Sequence, residues 1–125
     1  MLTKEEYAAN RKKWVEALRS GEYEQAKEYL QLDSSFCCLG VACKVATNHS
    51  IEVILDESLD IKGEDLDSQL NVKDWLGMNC AAGGYKIGGV EKCLVSDNDD
   101  HGKTFDEIAD IIESNPDGLW AEGTY

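Results

Sequence analysis

Residues 36–46 read FCCLGVACKVA, an apolar run interrupted only by Lys44. A helix that is apolar on every side is normally buried, so the run predicts a helix in the interior of the protein. Cys38, Ala42 and Ala46 recur at intervals of four residues, which places small side chains on one helix face. Because small faces let neighbouring helices approach closely, we expect this helix at the centre of the fold. A buried strand is the alternative, but the length of the run favours a helix.

Two capping boxes predict the helices near the two ends of the chain. Thr3 with Glu6 opens the first helix, and Thr104 with Glu107 opens the last. The other predicted elements are a second helix over residues 22–32, a strand over 51–55, a short helix between Ser68 and Gly77, and a hairpin over 84–95 that turns at Gly88-Gly89.

These elements predict an α+β fold in a single domain, residues 1–125. About five helices would pack around the 36–46 helix, with a small antiparallel sheet or hairpin formed from 51–55 and 84–95. No apolar run is long enough to span a membrane, and the charged N-terminus lacks an export core. The five cysteines are odd in number, and Cys37 adjoins Cys38, which suits a reducing compartment better than a disulfide framework. We therefore expect a cytoplasmic protein with no membrane partner.

The net charge of −13 is carried by one part of the chain. Residues 1–50 hold seven acids and seven bases, whereas residues 51–125 hold eighteen acids and five lysines. Such a charge argues against direct binding to nucleic acid and favours a partner with a basic surface. A solvated acidic face that only confers solubility is the plainer alternative. The candidate binding residues are Glu64, Asp65, Asp67, Asp97, Asp99 and Asp100.

The sequence holds one cluster of basic residues, Arg11-Lys12-Lys13 with Arg19. Four cations on one helix are weak support for nucleic-acid binding against so much acid. We interpret the cluster as a solvated face that pairs with the acidic half of the chain.

Four segments carry a resemblance to a known family: residues 14–21, 36–43, 75–77 and 98–113. They hold a Trp-containing helix, a Cys-Cys-Leu-Gly-Val helix, a Trp-Leu-Gly element, and an Asn-Asp turn that opens a Phe-x-x-Ile-Ala helix. This set resembles small uncharacterised proteins that are common in bacteriophage and prophage genomes. The resemblance implies a viral or prophage origin, and it implies no activity. The acidic residues 56–67 and the Gly-rich residues 83–89 depart from the family pattern.

Cys37 and Cys38 are the candidate nucleophiles of a small cysteine-dependent enzyme. A thiol at a helix N-terminus feels the positive end of the helix dipole, which lowers its pKa, and it needs a nearby base. His49 follows the far end of the same helix, so His101 is the candidate base. We prefer the interpretation that these cysteines are small core side chains.

Asp97, Asp99 and His101 are the candidate ligands of a divalent cation. Asp97, Asp99 and Gly102 stand at the first, third and sixth positions of an EF-hand loop. However, His101 at the fifth position is a poor ligand for a hard cation, and Ile108 replaces the bidentate Glu. A turn followed by a helix cap is the preferred explanation. The cysteine spacing fits a zinc site poorly.

These observations favour a non-catalytic protein that binds or inhibits a host or viral protein with a basic surface. A sharper version is a mimic of nucleic-acid charge that blocks a host DNA-binding or defence protein. The alternatives are the cysteine-dependent enzyme, the divalent-metal module at residues 97–101, and a protein that sequesters a small ligand. No residue pattern predicts a cofactor.

Overall fold

The computed structural model describes residues 2–125, which form an α+β fold of five α-helices and two small sheets. The predicted fold class is confirmed. In chain order the elements are α1 (Lys4–Arg19), β1 (Glu24–Gln25), β2 (Gln31–Leu32), β3 (Ser35–Phe36), α2 (Cys38–Asn48), a 3₁₀ helix (Leu66–Ser68), α3 (Leu70–Leu76), β4 (Gly84–Ile87), β5 (Val90–Cys93), α4 (Leu94–Asp99) and α5 (Phe105–Glu113).

The central helix α2 is buried on nearly every side, as predicted. Every residue from Cys38 to Ala46 is buried except Lys44. Helices α1, α3 and α4 all pack against it, and the indole N–H of Trp14 in α1 donates to the carbonyl of Cys38 at 2.9 Å. The helix begins two residues later than predicted, because Phe36 belongs to β3 and Cys37 is the N-cap.

Gly40 allows the chain to pass directly over the first turn of α2. A Cβ atom at this position would lie 1.7 Å from the carbonyl oxygen of Leu30, whose side chain is fully buried. Leu30 also donates its backbone N–H to Gly63 at 2.9 Å. The backbone at Leu30 therefore lies against α2, and its N–H is bonded to the loop at Gly63 instead of to a helical carbonyl within residues 22–32.

This contact explains why the predicted helix over residues 22–32 is wrong. The segment instead contributes β1 and β2, which flank β3 in the order β1-β3-β2, with β1 parallel and β2 antiparallel to it. The backbone reverses near Glu28, which has a φ of +70°. Tertiary contacts thus override a local pattern that favoured a helix.

The predicted strand over residues 51–55 is also wrong. Only Leu55 makes a bridge, to Ile61, and the N–H and carbonyl of Ile54 are both bound by the side chain of Gln69. The hairpin β4–β5 therefore forms a two-stranded sheet of its own, and outside it Lys86 makes a single antiparallel bridge to Asp117. It turns at Gly88-Gly89 as predicted, and both glycines have positive φ.

Both predicted capping boxes are present, at Thr3 with Glu6 and at Thr104 with Glu107. Helix α3 ends at Gly77 in the left-handed conformation as expected, although Gln69 rather than Ser68 precedes it. Helix α4 was not predicted. None of the helices in residues 2–125 has the length and apolar content to cross a membrane.

Candidate interaction surface

A buried amide at the start of α2 organises one side of the molecule. The side-chain oxygen of Asn98, in α4, accepts hydrogen bonds from the backbone N–H of Cys38 at 3.2 Å and from Gln25 at 2.8 Å. Its amide nitrogen donates to the carbonyl of Ala26 and to the carboxylate of Asp99, each at 2.8 Å. Asn98 therefore joins α2, β1 and α4, and the expected Asn-Asp turn is part of a helix.

The neighbouring carboxylates are used inside the protein. Asp97 is buried and accepts a hydrogen bond from the hydroxyl of Tyr85, and burial together with this bond raises the pKa of Tyr85. Asp99 accepts the backbone N–H of Glu28 at 3.0 Å. Asp97 is thus unavailable to a partner, contrary to the expectation from sequence, and Asp99 is engaged in holding the 24–36 region.

The EF-hand-like loop expected at residues 97–102 does not exist, because residues 94–99 are helical. Nowhere in the described part of the chain do three or more His, Cys, Asp or Glu side chains gather as a metal site would require. His101 is exposed, just beyond the end of α4. The geometry therefore gives the divalent-metal alternative no support.

The candidate nucleophiles lie in the core. Burial raises the pKa of Cys37 to about 11, and burial also raises the pKa of Cys38 well above its ordinary value. Both groups are therefore neutral thiols at neutral pH. The Cys38 thiol faces the carbonyl of Leu94 at 3.7 Å, and within residues 2–125 no histidine is hydrogen-bonded to a cysteine. This placement favours packing over nucleophilic chemistry.

The basic cluster divides into a buried and an exposed part. Arg11 is buried beneath the ring of Trp120, at 4.0 Å, and donates to the carbonyl of Leu76 at 2.8 Å and to the hydroxyl of Thr124 at 2.7 Å. Burial lowers the pKa of Arg11 to about 10. Arg19 is exposed and pairs with the carboxylates of α5, so it does contact the acidic half of the chain.

A groove of about 680 Å³ lies between α1 and the C-terminal segment. Its walls combine Lys4 and Lys12 with Glu113 and Asp117, so positive and negative groups are balanced. The groove therefore does not point to one class of small ligand.

Exposed apolar side chains are concentrated in one region of the surface. Nine large apolar side chains in residues 2–125 are exposed, and six of them belong to residues 29–32 or 54–70. The six are Tyr29, Leu32, Ile54, Leu55, Leu59 and Leu70.

Backbone contacts bring these two segments together. The backbone N–H of Ile61 donates to the side chain of Gln31 at 3.0 Å, and the N–H of Asp33 donates to the carboxylate of Asp60 at 3.2 Å. Gln69 binds both backbone groups of Ile54, at 2.8 and 2.7 Å, and so places Leu70 beside the same segment. Residues 29–33 thus run along residues 54–63 on one side of the protein.

Carboxylates surround these apolar groups. Residues 52–67 contain seven acids and one lysine, and Asp33 lies against the same segment. Throughout residues 2–125, the ion pairs within 4.0 Å involve only Lys12 and Arg19, and neither contacts these acids. We call this region the acid–apolar face, defined by the six apolar residues above together with Asp33, Asp56, Glu57, Asp60, Glu64 and Asp67.

Leu59 is the most exposed apolar side chain of the face, with 73% of its surface accessible. Its φ is +68°, a conformation that disfavours side chains with a Cβ by about 1 kcal/mol. A tight turn holds it there: Asp56 accepts the backbone N–H groups of Ser58 at 2.9 Å and Asp60 at 3.2 Å. The hydrogen bonds from Ser58 lower the pKa of Asp56. The turn therefore projects a leucine into solvent from a backbone position better suited to glycine.

The sequence pointed to part of this face and missed the rest. Glu64 and Asp67 were expected at a binding surface and are exposed, whereas Asp65 caps the 3₁₀ helix and is half-buried. Asp100 is exposed but lies next to α4, outside the face. Ile54 and Leu55 were missed because the pattern of residues 51–55 predicts a strand with a buried face, and Tyr29 and Leu32 were missed because residues 22–32 were expected to form a helix. The sequence signal that could have predicted an apolar group on this face was Leu59, a single apolar residue between acids in a loop.

The fold and this face define a small α+β protein with a buried cysteine-bearing helix and an acid-rimmed apolar surface. Residues 8–116 match the model of the family described as "Domain of unknown function (DUF8296)", and the chain belongs to this family. No curated protein and no solved structure matches the chain.

Proposed function

We propose that this protein is a non-catalytic binding protein and that its acid–apolar face docks onto the basic surface of a protein partner. The proposal rests on one observation, the concentration of six exposed apolar side chains among carboxylates that make no ion pair within 4.0 Å. A viral or prophage origin, which the sequence resemblance implies, would make the partner a host protein. A cytoplasmic location is part of the same proposal.

Apolar groups and acids would have different roles in such an interface. Apolar side chains gathered on a surface commonly mark interaction sites, because their burial provides the free energy of association. The carboxylates accelerate encounter with a cationic surface and exclude anionic partners. A pure mimic of nucleic-acid charge needs only a regular array of acids, so the apolar members favour recognition of a folded protein surface with its own apolar contacts.

Leu59 has the properties of an anchor residue. It is held outward by a hydrogen-bonded turn, so little conformational entropy would be lost when it enters a pocket. Among the non-glycine residues with positive φ in the described chain, it alone carries an apolar side chain. Backbone strain of this kind is retained where a particular side chain is useful.

Two charge variants with the same net charge test the proposal. The face variant carries Glu57→Gln, Glu64→Gln and Asp67→Asn, all at exposed positions. The control carries Glu5→Gln, Glu91→Gln and Glu122→Gln, which are exposed elsewhere. Partners would be cross-linked in bacterial lysate, identified by mass spectrometry and purified for titration.

We expect the face variant to weaken binding to the purified partner at least about tenfold and to reduce its salt dependence. The control variant should bind within about twofold of the wild type, since rim charges far from a contact act weakly. Equal losses in the two variants would mean that net charge alone drives association. Unchanged affinity in the face variant would place the binding surface elsewhere.

A further inference from the structure

Residues 54–62 form a loop that supplies three apolar members of the acid–apolar face, Ile54, Leu55 and Leu59. A single antiparallel bridge, between Leu55 and Ile61, connects the two arms of this loop. In an antiparallel ladder of this register, the residue pairs on either side of the bridge would each exchange two backbone hydrogen bonds. Each of these pairs makes only one such bond, so side chains must complete the ladder.

At the base of the loop, the side chain of Gln69 takes the place of the missing bond. The N–H of Lys62 donates to the carbonyl of Ile54 at 3.0 Å, but the N–H of Ile54 does not reach the carbonyl of Lys62. The amide oxygen of Gln69 accepts the Ile54 N–H at 2.8 Å, and its amide nitrogen donates to the Lys62 carbonyl at 2.8 Å. The same nitrogen donates to the Ile54 carbonyl at 2.7 Å. Gln69 therefore joins the two arms as an inserted peptide group would.

At the tip of the loop, the carboxylate of Asp56 has the corresponding role. The backbone N–H of Asp56 donates to the carbonyl of Asp60 at 2.9 Å, and its carboxylate accepts the N–H of Asp60 at 3.2 Å. Leu59 lies within this closed tip and donates its N–H to the carbonyl of Asp56 at 3.0 Å. Gln31 binds the loop only at the N–H of Ile61, whereas Gln69 binds both arms.

Gln69 is itself held firmly by the core. Its side chain is fully buried, its N–H donates to the carbonyl of Leu66 at 3.0 Å, and its carbonyl accepts the N–H of Val72 at 3.1 Å. Leu66 and Val72 are both fully buried, so the backbone of Gln69 is fixed between the 3₁₀ helix and α3. A side chain mounted in this way can fix the position of the loop that it binds.

We propose that Gln69 is the positioning residue of the acid–apolar face and holds residues 54–62 in their binding conformation before the partner is met. This inference rests on the proposed function of that face. A loop that is fixed in advance loses little conformational entropy on binding. A mobile loop is competent for only part of the time, and the observed affinity falls by that fraction. Because Gln69 is buried beneath the loop, it acts through Ile54, Leu55 and Leu59.

A positioning residue and a contact residue have different kinetic effects. Loss of a contact weakens the complex and mainly raises the dissociation rate constant. Loss of positioning reduces the fraction of molecules that can associate, so it lowers the association rate constant. The contacts in the complex, and hence its dissociation rate constant, stay the same. Measurement of both rate constants therefore distinguishes the two roles.

Two glutamine variants form a matched pair. Gln69→Met keeps a side chain of similar volume but removes the amide, so the three hydrogen bonds to the loop are lost without a large cavity. Gln25→Met is the control. The amide of Gln25 also joins distant segments, through bonds of 2.8 Å to Asn98 and to the carbonyl of Lys103, and it lies outside the acid–apolar face.

Hydrogen exchange of the free full chain, followed by NMR, tests the structural part without a partner. The N–H groups of Asp56, Leu59 and Lys62 are bonded within the loop, so we expect them to be protected in the wild type and in Gln25→Met. Their exchange should be at least about tenfold faster in Gln69→Met. The N–H groups of the β4–β5 hairpin should change by less than about twofold in the same variant.

Binding kinetics with the partner purified after cross-linking test the functional part. Gln69→Met should lower the association rate constant at least about fivefold and leave the dissociation rate constant within about twofold of the wild type. Gln25→Met should leave both constants within about twofold.

Three results would refute the role of Gln69. Exchange of the wild-type loop at the rate of an unstructured peptide would show that the loop is not preformed. Equal loop exchange in Gln69→Met and the wild type would show that other contacts hold it. An unchanged association rate constant in Gln69→Met would show that the partner does not need a preformed loop. All three would leave the proposed function standing, because that function fails only if the face charge variant binds like the wild type.

Discussion

The side-chain oxygen of Asn98 accepts a hydrogen bond from the backbone N–H of Cys38 at 3.2 Å, across 60 positions of sequence. The first N–H groups of a helix have no partner inside the helix, and a buried helix start cannot leave them to water. Asn98 supplies one such partner for α2. The Cys-Cys-Leu-Gly-Val run and the Asn-Asp pair, which the resemblance links in sequence, are thus in direct contact in the fold.

Replacement of Asn98 by Ala should destabilise the protein by about 2–4 kcal/mol, because it leaves the buried N–H of Cys38 and the half-buried carbonyl of Ala26 without partners. Urea denaturation would measure the change. Asn71→Ala is the matched control, since Asn71 is exposed and makes one long hydrogen bond of 3.4 Å. A similar midpoint shift in both variants would show that Asn98 has no special role.

Gly40→Ala should destabilise the fold by at least about 3 kcal/mol, and Gly40→Leu should prevent folding. The added Cβ would overlap the carbonyl oxygen of Leu30, a backbone atom that cannot rotate away. Thermal unfolding followed by circular dichroism would test this. A melting temperature like that of the wild type would refute the position of α2 against the Leu30 backbone.

Arg11→Lys should cost about 2–3 kcal/mol although it keeps the charge, because an ammonium cannot reproduce the divergent bonds to Leu76 and Thr124 or the stacking on Trp120. Lys12→Met, at an exposed neighbouring position, should change stability by less than about 0.5 kcal/mol. Chemical denaturation of both variants would compare the two. Equal stability of Arg11→Lys and wild type would mean that charge alone matters at this site.

Stability should fall as pH rises above about 9. In the unfolded chain a cysteine ionises near its ordinary pKa of 9.0, whereas burial raises the folded pKa of Cys37 to about 11 and shifts Cys38 and Cys43 in the same direction. The folded state then binds more protons, so each buried thiol lowers stability by up to about 1.4 kcal/mol per pH unit.

Denaturation of the wild type and Cys43→Ala at several pH values between 8 and 10 would measure this slope. The variant is expected to be less stable at pH 8 because it leaves a small cavity, but its stability should decline less steeply with pH. Parallel pH profiles for the two proteins would show that the Cys43 thiol ionises alike in the folded and unfolded states.

Leu59→Gly should raise stability by about 1 kcal/mol while weakening partner binding. Glycine relieves the positive φ, and the same change removes the most exposed apolar group of the acid–apolar face. Thermal unfolding would measure the change in stability, and titration with the purified partner would measure the change in affinity. Leu32→Ser, in the same face but without positive φ, should weaken binding without the gain in stability.

A gain in stability combined with a loss of partner affinity distinguishes a binding residue from a structural one. If Leu59→Gly left the affinity of the purified partner unchanged, the leucine would not be an anchor, even where the charge variants behaved as expected.

Local chemistry was sufficient for the elements whose signals lie within a few residues. The capping boxes of α1 and α5, the left-handed Gly77 after α3 and the Gly88-Gly89 turn were all predictable, because each depends on hydrogen bonds or φ preferences of adjacent residues. The burial of α2 followed from its apolar surface on every side.

The sequence could not reveal which acids would be internal. Asp97 and Asp67 carry the same group in the same acidic half, yet one is buried against Tyr85 and the other is exposed. Only contact with a residue elsewhere in the sequence distinguishes the two carboxylates, and no local sequence pattern predicts that contact.

The amino-acid sequence alone thus predicted an α+β chain with a buried helix of small residues and a large acidic excess. These properties depend only on composition and on the spacing of residues within one helix or strand. The packing of Leu30 over Gly40 decided that residues 24–36 contribute three two-residue strands instead of a helix, and the Gln69 side chain decided that Ile54 lies in an exposed loop. Both contacts join residues at least ten positions apart, so their free energies exist only after the chain has folded. The acid–apolar face is a consequence of those contacts and could be recognised only in three dimensions.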